Sequence, residues 1–190
     1  MLAGIASRGG SIGLVREDDA VITSERLALP LLSLDQLDRV AAGDVATVAW
    51  ELGATISDEW LEMARWLAEM RARQIRSRPT DAPWLIRPIL RSDTREAIGY
   101  LNFHGGPDET GMVEVGYTLL PVARGHGYAL EAVHAAFDWA TRVHGIRRFR
   151  ASVAPDNERS LNLIAKLGFV KTGEQWDEED GLEYVHELEV

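Results

Sequence analysis

The stretch Pro121-Val122-Ala123-Arg124-Gly125-His126-Gly127-Tyr128-Ala129 decides how this chain is read. It joins a run with strand alternation, Val113 to Leu120, to a run in which Leu130, Val133, Phe137 and Ala140 recur at helical spacing. Two glycines one residue apart let a backbone turn expose several N–H groups. The helix start adds unpaired donors and a partial positive charge. Such a place suits a phosphate, and Arg124 adds a direct charge. A tight helix entry without a ligand would satisfy the same residues.

Outward from this turn, strand signals fill the middle of the chain. Trp84 to Leu90, Ala97 to His104 and Val113 to Leu120, separated by Ser92-Asp93-Thr94 and Gly105-Gly106-Pro107-Asp108, predict a three-stranded antiparallel meander. After the helix over 127–143, His144-Gly145 forms a glycine stop. A strand over 148–153, a helix over 157–167 ending at Gly168, and a hairpin of 169–176 with 182–188 complete the chain. Toward the N-terminus, Ile22 to Leu32 reads as extended. Ser33 caps a helix carrying Leu34, Leu37, Val40 and Ala41; 44–52 forms a second short helix, and Asp58 opens a longer one ending before Pro79. Trp50, Trp60 and Trp66 are expected to pack in the core or between helices. The layout is α/β (α+β): one mixed, mostly antiparallel sheet with helices on both faces.

Bulk properties narrow the function. The 190 residues suit one domain, read as 22–190, with 1–21 as a loose N-terminal extension. No apolar window spans a membrane, and residues 1–20 lack the apolar core of a signal peptide, so the chain is expected in the cytoplasm. Without cysteine there is no disulfide, thiolate metal site or cysteine nucleophile. His104, His126, His134, His144 and His186 show no H-x-x-x-H spacing, so no metal is expected. Thirty acids against twenty bases, net charge −10, disfavour nucleic acid and would draw a cationic substrate.

A dinucleotide-binding turn of the form G-x-G-x-x-G/A fits poorly, because Leu130 occupies the place where a small residue is needed. The residues resemble another family instead. Arg124-Gly125-His126-Gly127-Tyr128-Ala129 resembles R/Q-x-x-G-x-G/A, the pyrophosphate signature of the GNAT superfamily of N-acetyltransferases. The stretch Asn157-Glu158-Arg159-Ser160-Leu161-Asn162-Leu163-Ile164-Ala165-Lys166-Leu167-Gly168-Phe169 resembles its second signature, N-x-x-[AS]-x-x-[LV]-x-x-K-x-G-F. Val113-Glu114-Val115-Gly116-Tyr117 resembles the strand leading into the turn. Thr23-Ser24-Glu25-Arg26-Leu27-Ala28-Leu29 is similar to the opening of the branch that acetylates ribosomal-protein N-termini.

The resemblance implies central strands that splay apart with acetyl-CoA in the gap. The pantetheine arm would pair with the main chain of Tyr117, Thr118 and Leu119, almost as an added strand. The pyrophosphate would sit on Arg124, Gly125, His126, Gly127, Tyr128 and Ala129, with Asn157 on the other wall. The early helices, 33–76, would form the acceptor side. The acceptor would be an amine: a protein N-terminus, a polyamine or an aminoglycoside-like molecule.

A thioester is already activated, so direct transfer to a neutral amine needs no covalent intermediate. At pH 7, deprotonation costs about 4.6 kcal/mol for a lysine-type amine and about 1.1 kcal/mol for an α-amino group. Glu114 is the candidate base, since alternation sets Glu114, Gly116 and Thr118 on one face and Val113, Val115 and Tyr117 on the other. An ordinary surface or salt-bridged glutamate is the competing reading. Many family members carry, seven residues after the asparagine, a tyrosine that protonates the departing thiolate; here that place is Ile164. In the similar N-terminal acetylating branch, a serine at the Ser160 position takes that part or binds the thiol; a supporting role in the helix's first turn is equally open. Asn157 is also a good helix cap. Tyr100, Asn102 and His104 alternate on one face of the preceding strand, with their register against Glu114 left open. A non-catalytic acyl-CoA sensor is the alternative function, and the closing hairpin offers a strand edge suited to a homodimer.

Overall fold

The computed structural model describes residues 15–178 and 181–190. Eight strands form one sheet in the order β1-β2-β3-β4-β5-β6-β8-β7. They are β1 (Val21–Thr23), β2 (Leu27–Pro30), β3 (Arg87–Arg91), β4 (Ala97–Phe103), β5 (Met112–Leu119), β6 (Arg148–Val153), β7 (Val170–Asp177) and β8 (Gly181–Glu189). Every neighbouring pair is antiparallel except β5 with β6. The expected meander is therefore β3-β4-β5, and the closing hairpin leaves β7 as an edge strand.

Among the described residues five α-helices cover the sheet: α1 (Leu34–Ala42), α2 (Val45–Leu52), α3 (Asp58–Ser77), α4 (Tyr128–His144) and α5 (Glu158–Lys166). Local chemistry sets their ends. Ser33 accepts from the Gln36 N–H and Gln36 reaches back to the Ser33 N–H, a reciprocal cap. Gly145, at φ 72°, stops α4 in the left-handed conformation. One apolar cluster, including Ile89, Phe103, Phe137, Phe149 and Ile164, joins the sheet to α4 and α5. A second, including Leu37, Val48, Trp60, Ala64 and Leu85, joins it to α1, α2 and α3.

Three expectations need correction. Trp60 is fully buried, but Trp50 is 83% exposed and Trp66 54%. On α3 the buried stripe runs through Trp60, Ala64, Leu67 and Arg71, and Trp66, six residues past Trp60, projects far from it. The strand expected to begin at Trp84 begins at Arg87, because Pro79–Trp84, bracketed by Pro79 and Pro83, winds into a 3-10 turn. The expected loose extension has its residues 1–14 outside the described ones, whereas Glu17–Asp19 forms a 3-10 turn and Asp19 is completely buried.

The feature that positions the site is the join between β5 and β6. The two strands pair only at Met112–Arg148, Val113–Phe149 and Glu114–Arg150. Beyond Glu114, β5 continues to Leu119 paired with β4 alone, while β6 continues to Val153 paired with β8. The sheet opens there into a V whose apex is Glu114.

Candidate active site

A cavity of about 760 Å³ occupies the mouth of this V. Its walls include Tyr117, Thr118 and Leu119 from β5, Arg124, Gly125, Gly127, Tyr128 and Ala129 from the glycine turn, and Asn157 and Ser160 from α5. The structure thus brings together most of the residues singled out in the sequence. His126 and Glu114 do not line this cavity: His126 is exposed and stacks on Tyr128 with ring centroids 5.7 Å apart, and Glu114 lies in a second, smaller hollow.

The turn is held open by its backbone. Gly125 and Gly127 have φ of 82° and 80°, a region costly for residues with a Cβ. Gly127 is the N-cap of α4 and makes no side-chain cap bond; the Glu131 N–H bonds back to the Gly127 carbonyl. The N–H groups of the first helical turn therefore have no intrahelical acceptor and lie at the positive end of the helix dipole. The Arg124 Nε donates to the Leu119 carbonyl at 3.0 Å, which fastens the turn to the end of β5. From behind, Arg26 donates to the His126 carbonyl at 3.1 Å, pairs with Glu131 at 2.6 Å and lies over the Tyr128 ring.

The opposite wall adds residues the sequence reading passed over. Arg159, Asn162, Leu163 and Lys166 line the cavity from one side of α5, a spacing of three, four and seven residues that was legible as a helix face. Arg124, Arg159 and Lys166 are cations, and among the described residues no acid lines the cavity, although the whole chain is at −10. Asn157 Oδ1 accepts from the Ser160 N–H at 3.1 Å, so its side-chain oxygen serves as the helix cap. Tyr117 has a buried hydroxyl with no hydrogen-bond partner. Burial raises its pKa, and the Ser160 side chain partly offsets that rise. Ile164 is buried in the core, so nothing at that position reaches the cavity with a proton.

On the other side of the V, a smaller hollow of about 190 Å³ contains Glu114, His104, Asp81, Asp108, Arg78 and Arg150. Ser152 on β6 donates to Glu114 Oε1 at 2.6 Å, and Gln175 on β7 donates to Ser152 at 3.1 Å. Neither Ser152 nor Gln175 carried a signal in the sequence, because only the pairing of β5, β6, β8 and β7 brings them together. His104 Nδ1 lies 3.7 Å from Glu114 Oε1. The register left open by the sequence is now fixed: Tyr100 faces Thr118, Asn102 faces Gly116, and the His104 N–H bonds the Glu114 carbonyl. Beneath them Arg71 donates to Asn102 Oδ1 at 2.7 Å and to the His104 carbonyl at 3.2 Å. Burial lowers the Arg71 pKa to about 10, opposed by Asp81, Tyr100 and Glu114.

Among the described residues no group of three or more His, Cys, Asp or Glu could hold a metal ion, and no helix is long and apolar enough to cross a membrane.

The chain is similar to known proteins. The acetyltransferase (GNAT) domain family matches residues 26–170. The uncharacterized N-acetyltransferase YjdG of Bacillus subtilis (strain 168) is 28% identical over 155 residues, covering 79% of this chain and 89% of that protein. The [ribosomal protein uS5]-alanine N-acetyltransferase of Escherichia coli (strain K12) is 35% identical over 86 residues, 45% of this chain and 44% of that protein. Among solved structures, the microcin C7 self immunity acetyltransferase MccE in complex with acetyl-CoA and AMP superposes with a TM-score of 0.61 at 14% identity, covering 88% of this chain and 94% of that one. The splayed sheet, the glycine turn and the family match over 26–170 lead to one conclusion: the chain belongs to the GNAT family of N-acetyltransferases.

Proposed function

We propose that the chain transfers an acetyl group from acetyl-CoA directly to a primary amine, with an N-terminal α-amino group as the favoured acceptor. The observation that carries this reading is the charge of the larger cavity. In a chain of net −10, its wall holds Arg124, Arg159 and Lys166 and, among the described residues, no carboxylate. A phosphate-bearing donor fits that wall, with its diphosphate on the turn from Arg124 to Ala129 and its pantetheine arm along the open edge of Tyr117, Thr118 and Leu119. In this reading Asn157 uses its amide nitrogen toward the pantetheine while its oxygen caps α5. Ser160 lies beside the thioester end.

The acceptor enters from the Glu114 side. Glu114 supplies the negative charge that draws an ammonium to the apex of the V and helps remove its proton. An α-amino group needs less of that help than a lysine-type amine, by about 3.5 kcal/mol at pH 7. With no cysteine in the chain, the amine attacks the thioester itself. Similarity to the uS5-alanine enzyme supports a protein N-terminus as acceptor.

The test has two steps. Acetyl-CoA should raise the melting temperature of the protein, and mutating Arg124, Arg159 and Lys166 to Ala should abolish that shift. Free thiol release is then followed across peptides beginning with Ala or Ser, polyamines and aminoglycosides. Binding of acetyl-CoA with no thiol release on any amine would favour a sensor instead.

A further inference from the structure

Glu114 is not alone at the apex of the V. The imidazole of His104 comes from the neighbouring strand with its two nitrogens in different surroundings. Nδ1 faces Glu114 Oε1 at 3.7 Å. Nε2 stands over Gly116, where a Cβ would come within 3.0 Å of it, so the bare glycine makes room for the ring. Gly116 is also the second residue of β5 beyond its last pairing with β6, within the open edge along which the donor is proposed to lie.

We propose that His104, with the Glu114 carboxylate beside it, is the group that takes the proton from the amine, with its Nε2 as the accepting atom. This rests on the acetyltransferase reading above and deepens it by naming the atom.

Three features support it. Glu114 is anchored by Ser152 at 2.6 Å through the same Oε1 that lies 3.7 Å from Nδ1; that separation is too long for a hydrogen bond, so the carboxylate acts through its charge, which favours an imidazolium. The His104 main chain is anchored too, its N–H on the Glu114 carbonyl and its carbonyl on Arg71 and Gln74. The surroundings of the ring also favour its neutral form. Desolvation lowers the His104 pKa below its usual value although the side chain is 49% exposed, and Arg71 on α3 adds to this; Glu114 on β5 and Asp177 on β7 push the other way. Asp81, Asp108, Arg78 and Arg150 also line the hollow. A neutral imidazole can accept a proton at pH 7, which a group already protonated could not.

The protons balance as follows. An ammonium R–NH3⁺ gives one proton to Nε2, leaving R–NH2 and an imidazolium beside the Glu114 carboxylate. The freed lone pair forms the C–N bond at the thioester carbonyl carbon. The C–S bond breaks with its electron pair on sulfur. The acylated nitrogen loses its extra proton to water, the thiolate gains one from water, and the imidazolium returns its proton to solvent.

The experiment is a ¹⁵N NMR titration of the histidines in the full-length protein, with His104→Gln assigning the signal. In the wild type, His104 should be in the Nδ1–H tautomer and titrate below the ordinary histidine value. In Glu114→Gln, its midpoint should move to still lower pH, because the carboxylate that favours the charged ring is gone. The opposite tautomer, or a midpoint indifferent to Glu114→Gln, would overturn the proposal even if no acceptor were known.

A kinetic arm uses the amine selected by the acceptor panel, at saturating concentration of both substrates. His104→Gln should lower kcat about 100-fold and remove the acidic limb of the pH profile, while Glu114→Gln shifts that limb down. If His104→Gln keeps the limb and Glu114→Gln removes it, Glu114 itself is the base and the proposal fails, while the acetyltransferase reading stands. Failure of that reading would show separately, as absence of an acetyl-CoA thermal shift in the wild type.

Discussion

At the scale of single residues, Tyr117 is the position where sequence and structure tell different things. Strand alternation correctly put its side chain on the face opposite Glu114, yet the sequence assigned it only a main-chain role. The structure leaves its hydroxyl buried and without a partner. A buried polar group left unpaired costs about 1–3 kcal/mol, so such a group calls for an explanation. Tyr117 lines the larger cavity, and a donor bound there is the group that would supply the missing hydrogen bond. Tyr117→Phe should therefore leave the melting temperature of the free protein unchanged or slightly raised. It should weaken acetyl-CoA binding by about 3–10-fold, the value of one hydrogen bond. Isothermal calorimetry on both proteins checks this, and equal affinities would mean that the hydroxyl never meets the donor.

At the scale of elements, the strands and helices were legible wherever periodicity or a cap marked them. The turn at 121–129, the cap at Asn157 and the stop at Gly145 are all local chemistry, and all appear where the residues put them. Contacts set by register were not legible. Gly99 shows why. It is one glycine in a strand run, with no turn chemistry around it to mark it out. In the folded sheet it faces Leu119, and a Cβ there would overlap the Thr118 carbonyl and press on the Leu119 side chain at 2.6 Å. Its own carbonyl accepts the Trp60 indole N–H at 2.7 Å, tying α3 to the back of β4. Gly99→Ala must push β4 and β5 apart at the point where β5 borders the donor cavity. The expected cost is about 2 kcal/mol of stability, with acetyl-CoA affinity falling as Thr118 and Leu119 move. Urea unfolding and calorimetry measure the two effects. Loss of stability with intact affinity would show that the open edge of β5 does not carry the donor.

At the scale of the whole molecule, the two halves of the sheet meet at only three residue pairs, so the V needs bracing from outside the β5–β6 ladder. Part of that brace lies in the segment the sequence suggested was loose. Arg87 on β3 is completely buried, donates to the carbonyls of Leu29, Asp19 and Pro83, and lies over the Trp139 ring of α4. Burial lowers its pKa to about 9, with Asp19 opposing the shift. The Asp19 carboxylate bonds the Arg16 N–H at 2.9 Å and His144 Nε2, at the end of α4, at 2.8 Å. One residue thus links the N-terminal segment, the guanidinium inside β3 and the helix whose other end forms the glycine turn. Sequence alone could not reveal this, because an acidic Glu17-Asp18-Asp19 run looks like solvated chain until Arg87 and His144 are placed around it. Asp19→Asn keeps the shape but removes the carboxylate charge near a buried cation. Removing one partner of a buried charged group is costly because the other is left uncompensated, so about 3 kcal/mol should be lost in urea unfolding. The loss should persist in 0.5 M salt, since the charges are shielded from solvent. An unchanged urea midpoint would mean that residues 15–21 only lie against the domain, and that the V is braced by α4 without them.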